Sequence, residues 1–282
     1  MKKIAVVLFN LGGPDQPETI KPFLVNLFSD PAIIRLPALL RQIVARLIAA
    51  RRTGVATDMY ARLGGRSPIL ENTQAQASAL EKELADIGTT KCFVAMRYWH
   101  PFTHETARAV RNFAPDEIVL LPLYPQFSTT TTASSFKSWQ EAANAEGLNT
   151  PTKIICCYPG EPNFIKAIAQ MVRAAYEKAR AHGAPRVLFS AHGLPERIVK
   201  SGDPYQYQCE KTVAALVTEL NIANLDWTLC YQSRVGPLQW IGPQTDEEIK
   251  HAGRDKAPLV IVPVAFVCEH AETLVELDIF LL

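Results

Sequence analysis

The stretch VLFSAHGLP (Val187–Pro195) decides the fold. Its apolar run does not alternate with polar residues, and it ends in a Gly-containing turn closed by Pro195. A strand of this kind is buried on both faces, as in a parallel sheet covered by helices. The same pattern stands near the start, VVLFNLGGP (Val6–Pro14). A second pair also matches: IVLLPLYPQFS (Ile118–Ser128) and LVIVPVAFVCEH (Leu259–His270). The chain therefore reads as a loose repeat of one α/β plan. Strands are expected at Ile4–Phe9, Cys92–Met96, Glu117–Leu121, Lys153–Cys157, Arg186–Ser190, Trp227–Cys230 and Leu259–Val264. Helical patterns at Thr73–Ile87, Pro162–His182 and Pro204–Leu220 lie between them. Strands alternating with helices imply parallel sheets flanked by helices, with ligands bound beyond the strand ends. Two such lobes facing each other would hold the ligand between them.

The expected boundary falls near residue 150, giving lobes at 1–150 and 151–282. The gap from Pro14 to Cys92 is much longer than the matching gap from Pro195 to Trp227. The excess, about residues 15–67, reads as an insertion with its own role.

Composition sets limits on function. The 282 residues are 48% hydrophobic and 20% charged, which suits a packed globular protein. A formal net charge of +1 gives no sign of a nucleic-acid partner. The six cysteines form no C-x-x-C pair, so neither a zinc framework nor a secreted disulfide pattern is supported, and reduced thiols are expected. The opening MKKIAVVLFNLGGP has too short an apolar run for a signal peptide, and no run is long enough to span a membrane. A cytoplasmic protein is expected, with membrane contact limited to its surface. G-x-G-x-x-G, Walker, HExxH and G-x-S-x-G patterns are all absent.

Three regions could carry chemistry. Residues 36–50 of the insertion are strongly apolar, broken by Arg41 and Arg46 and flanked by Arg35, Arg51 and Arg52. They fit either a core helix or a lip dipping into a membrane surface. Arg51, Arg52, Tyr60 and the GGRSP turn (Gly64–Pro68) suit the carboxylates of a ligand, or else a solvated helix end. In SAHGLP, His192 stands at a strand end, where an imidazole can act as base or metal ligand. The segment CEHAETLVELD (Cys268–Asp278) offers Glu269, His270, Glu272 and Glu276. Glu272 and Glu276 share a helix face, and such a ridge asks for a cation or solvent.

Seven motifs then stand in one order: LFNLGGP, YARLGGRSPI, MRYWHP, LYPQFSTTTTASS, FSAHGLPERIVKSGDPY, CYQSRVGPLQWIGPQTDE and HAETLVELD. Together they resemble the ferrochelatases over nearly the whole chain. The resemblance implies two Rossmann-like lobes with a porphyrin cleft between them, and insertion of Fe(2+) into a porphyrin to make haem. Protoporphyrin IX is the first expectation and coproporphyrin stays open. No cofactor is implied, iron being a substrate. Some relatives carry an iron–sulfur cluster, which the cysteines of this chain do not support. His192 and Glu272 would be the catalytic pair and would meet the metal. Leu11, Tyr60, Arg97, Trp240 and His270 would line the porphyrin cleft, and Arg51, Arg52 and Ser67 would meet its propionates. The chain departs from the family in Cys268-Glu269, where Ser-Asp is usual, and in Phe280, where another carboxylate is usual. Relatives also continue past the position of Leu282. A cobalt or earlier-tetrapyrrole chelatase and a non-catalytic haem carrier are the competing readings.

Overall fold

The computed structural model describes residues 2–234 and 236–275. Its strands form two all-parallel sheets. The first holds β1 (Lys3–Asn10), β2 (Thr89–Met96), β3 (Glu117–Pro122) and β4 (Thr152–Ile154) in the order β2-β1-β3-β4. The second holds β5 (Arg186–His192), β6 (Asp226–Gln232) and β7 (Leu259–Pro263) in the order β6-β5-β7. Helices follow the chain as α1 (Ile20–Phe28), α2 (Ala38–Ala61), α3 (Ile69–Glu83), α4 (Thr103–Phe113), α5 (Thr132–Ala145), α6 (Pro162–Arg180), α7 (Glu196–Lys200), α8 (Tyr205–Leu220) and α9 (Thr245–Asp255).

The repeat survives at the level of register. Phe9 pairs with Pro122, and its counterpart Ser190 pairs with Pro263. Leu123 donates its backbone N–H to Phe9 at 2.9 Å, and Val264 does the same to Ser190 at 2.9 Å. By contacts the chain falls into two compact units. The first runs up to Tyr124 and adds Thr129–Cys156 and Cys268–Val275. The second holds Pro125–Ser128 and Cys157–Val267.

Each central strand is covered on both faces, which is why its apolar run does not alternate. In the first unit Ala5, Val7 and Phe9 pack with Val110 of α4 and Trp139 of α5. Ile4, Val6 and Leu8 point the other way, toward Ala77 and Leu80 of α3. In the second unit Val187, Phe189 and Ala191 pack with Ile165, Val213 and Leu216 of α6 and α8.

Two expectations change. Lys153–Cys157 shifts and shrinks to the short exposed edge strand β4, because only Thr152, Lys153 and Ile154 pair with β3. Of the two readings of residues 36–50, burial decides against core. Only small residues and one tyrosine of α2 are buried (Ala45, Ala49, Ala56, Tyr60), and these let the helix pack closely. Leu39, Ile43 and Leu47, four residues apart on one face, are exposed, Leu39 to 80%.

Candidate active site

The second unit places His192 at the last position of β5, in register with Gln232 of β6. Its Nδ1 lies 2.7 Å from the carbonyl oxygen of Gly193. A carbonyl only accepts, so Nδ1 carries a proton, and in the neutral form of the ring the lone pair would lie on Nε2. Trp240 stands beside it, ring centroids 6.5 Å apart. The neighbouring backbone is locked: Gly193 N–H donates to Gln232 at 2.9 Å and Ile241 N–H to Leu194 at 3.0 Å. A Cβ at Gly193 would come within 3.1 Å of the Trp240 ring, so glycine lets the tryptophan approach. Beneath the histidine, the buried Ser190 hydroxyl donates to Gln232 Oε1 at 2.8 Å and lies 3.0 Å from Thr245 Oγ1.

The first unit holds the remaining candidates. Leu11 follows β1, and its carbonyl accepts from Tyr98 N–H at 2.9 Å. Arg51 is exposed and Arg52 half-buried in the middle of α2. Tyr60 is buried in a cluster with Ile20, Phe23, Tyr98 and Ala271. Ser67 is buried in the turn before α3, its N–H donating to Pro14 at 2.8 Å. A Cβ on Gly13 would sit 2.5 Å from that of Ser67, so the turn closes only over glycine.

Arg97 is the most constrained of the set. Its Nη2 lies 2.8 Å from Asp30 Oδ2, and its Nε donates to Ser134 Oγ at 2.8 Å. Asp30 Oδ2 also accepts from Tyr98 Oη at 2.9 Å and from Ser134 Oγ at 2.6 Å. Burial, and then the Asp30 carboxylate, hold the Tyr98 phenol well above its ordinary pKa, so it stays a donor. Asp30 is nearly fully buried, and this pairing offsets its loss of water. No motif singled out Asp30; an acid inside the apolar stretch FSDPAII was the available signal. Arg97 and Asp30 line a cavity of about 400 Å³ with Asn26, Phe102, His104 and Glu141.

His270 is buried and Glu272 half-buried, both on the segment after β7. Thr273 caps that turn: His270 N–H donates to its Oγ1 at 3.0 Å. Asn10, which lies within LFNLGGP but was given no role there, holds the segment from β1, with Nδ2 3.5 Å from Cys268 Sγ. Glu276 and Phe280 lie outside the described residues. Among the described residues no three His, Cys, Asp or Glu side chains cluster as a metal cage. None of the six cysteines is joined in a disulfide. Burial pushes Cys92 and Cys209 up to about 12 and Cys230 to about 11, and raises Cys268, which keeps these four protonated at neutral pH.

Comparison with known proteins agrees along the whole chain. The family model for ferrochelatase matches residues 3–281. The chain is 56% identical over 280 residues to a ferrochelatase of Caulobacter vibrioides, covering 98% of this chain and 80% of that one. It is 54% identical over 283 residues to one of Phenylobacterium zucineum, covering 98% and 80%. With one of Pelagibacter ubique it shares 50% over 282 residues, covering 99% and 81%. The family model spans nearly all of this chain and the relatives share half or more of its residues, so this chain belongs to the ferrochelatase family.

Proposed function

We propose that this chain inserts ferrous iron into a porphyrin to make haem. One observation carries the reading: in a chain that matches the family from end to end, the Gly193 carbonyl fixes the His192 tautomer. Metal insertion exchanges two pyrrole protons for one divalent cation, so charge balances without a redox partner. His192 Nε2 takes a pyrrole proton, and the Gly193 carbonyl then stabilises the imidazolium through a charge-assisted hydrogen bond. The second proton leaves to solvent. Glu272, with His270 beside it, offsets the hydration that iron loses on entry. Leu11, Tyr60, Arg97 and Trp240 receive the macrocycle, and Arg51, Arg52 and Ser67 take the propionates. Binding energy at the propionates offsets the bending that exposes the pyrrole nitrogens.

The test is anaerobic. Purified protein, ferrous iron and either protoporphyrin IX or coproporphyrin III are mixed, and the haem spectrum is followed. Haem formed by the wild type and lost in Glu272→Ala supports the reading. Porphyrin bound tightly with no metal inserted would identify a carrier instead.

A peripheral membrane contact belongs to the same proposal, in a cytoplasmic protein. Among the described residues no helix is long and apolar enough to cross a membrane. The exposed face of Leu39, Ile43 and Leu47 on α2, with Arg35, Arg46 and Arg51 nearby, suits the surface of an anionic bilayer. Flotation with phosphatidylglycerol vesicles should carry the protein upward. Leu39→Ser/Ile43→Ser should abolish that, and a wild type that stays at the bottom removes the idea.

A further inference from the structure

We propose that Asn10 is the positioning residue of the metal-handling segment, acting through Cys268. This rests on the reading that Glu272 handles iron. Asn10 ends the central strand β1 and is 5% exposed. Its amide is fully committed. Oδ1 accepts from Leu11 N–H at 2.9 Å, which fixes which end of the amide is which. Nδ2 donates to Thr73 Oγ1 at 3.0 Å and to Cys268 Sγ at 3.5 Å. The Thr73 hydroxyl donates its own proton to the Ile69 carbonyl at 2.6 Å, so its lone pair faces Asn10.

One buried side chain thus ties the end of β1, helix α3 and the start of Cys268–Val275 together. A second tie runs beside it: Asn72 of α3 donates to the Glu269 carbonyl at 2.8 Å. From there the segment is short and stiff. The Thr273 hydroxyl accepts from the His270 N–H and donates to the His270 carbonyl, and Ala271 packs in the cluster of Tyr60 and Tyr98. Glu272 lies four residues after Cys268, so the Asn10 anchor sets the position of its backbone. Cys268 suits the job because burial favours its neutral thiol, an acceptor that does not add a further negative charge to those of Glu269 and Glu272.

A misplacement of about 1 Å at a reacting group costs up to roughly 100-fold in rate. Asn10→Asp keeps the volume and removes both donors. We expect it to lower kcat/KM for ferrous iron by roughly 10-fold or more, raising KM for iron while KM for porphyrin stays within about twofold. Cys268→Ala should show the same split, Cys268→Ser should recover most of the loss, and the two defects should not add in the double variant. A change confined to the fraction of folded protein, with both KM values unchanged, would overturn the proposal, as would full additivity. Glu272→Ala in the same assay separates the levels. If it inserts iron normally, the underlying reading fails and the anchor's role with it. If it is inactive while Asn10→Asp and Cys268→Ala behave as wild type, the positioning role alone fails.

Discussion

The ends of β1 and β5 are two copies of one solution used for different purposes. Both strands are central in a parallel sheet, both are flanked in the same register, and both run into a Gly-containing turn closed by proline. Yet Phe9 stands where the other copy has Ser190, and Leu11 where it has His192. The first copy is built on packing: Phe9 meets Phe136 and Trp139 edge to face, at 5.7 and 6.0 Å. The second is built on hydrogen bonds: Ser190, Gln232 and Thr245 form a buried polar network under the histidine. The backbone plan fixes where a side chain stands; chemistry depends on which side chain the copy places there.

The contrast can be broken at each level. Phe9→Ala should cost the most stability, about 3–5 kcal/mol, because it empties an aromatic cluster; denaturant melts would show it. Ser190→Ala should cost about 1–3 kcal/mol by leaving Gln232 Oε1 without its donor. Equal costs at the two sites would erase the distinction between them. The turn glycines sharpen it further. Gly12 has a left-handed φ of 84° and a Cβ there would meet Met96 and Trp99 at 3.1 Å, whereas Gly193 shows no such φ. Gly12→Ala should therefore cost about 1–2 kcal/mol from backbone alone. Gly193→Ala would press on the Gln232 carbonyl oxygen at 3.0 Å and the Trp240 ring at 3.1 Å, so it should slow iron insertion beside His192 as well as cost stability. The smallest effect is chemical. At about pH 8 an alkylating reagent should label exposed Cys156 well before Cys209 and Cys268, whose raised pKa values keep the thiolate scarce. Peptide mass spectrometry gives the order, and early labelling of Cys268 would contradict its burial.

Much of the fold is readable in the sequence. The apolar runs that became β1, β3, β5 and β7 name themselves, because strands covered on both faces leave an unbroken apolar signature. The place of His192 at a strand end was legible from the same run, but a turn histidine and a functional one read alike there, and only the family resemblance proposed its role. Other features lay beyond the sequence. The long apolar stretch of α2 looks alike whether its leucines face in or out; only the alanines at 45, 49 and 56, packed inward, settle the direction. Asp30 and Asn10 were invisible because their partners, Arg97, Thr73 and Cys268, are distant in sequence. The same distance hid which residues Arg97 would meet, since nothing local announces the Asp30, Ser134 and Tyr98 network around it.

The central claim is that the base sits at the end of β5 and not at the matching place after β1. The direct measurement is the anaerobic single-turnover rate of iron insertion in wild type, His192→Ala and Leu11→Ala, each checked for folding and porphyrin binding. Loss of the proton acceptor should slow His192→Ala by roughly 100-fold or more, while Leu11→Ala, which trims only a wall, should lose less than about 10-fold. Wild-type turnover in His192→Ala, or equal losses at the two positions, would contradict the account.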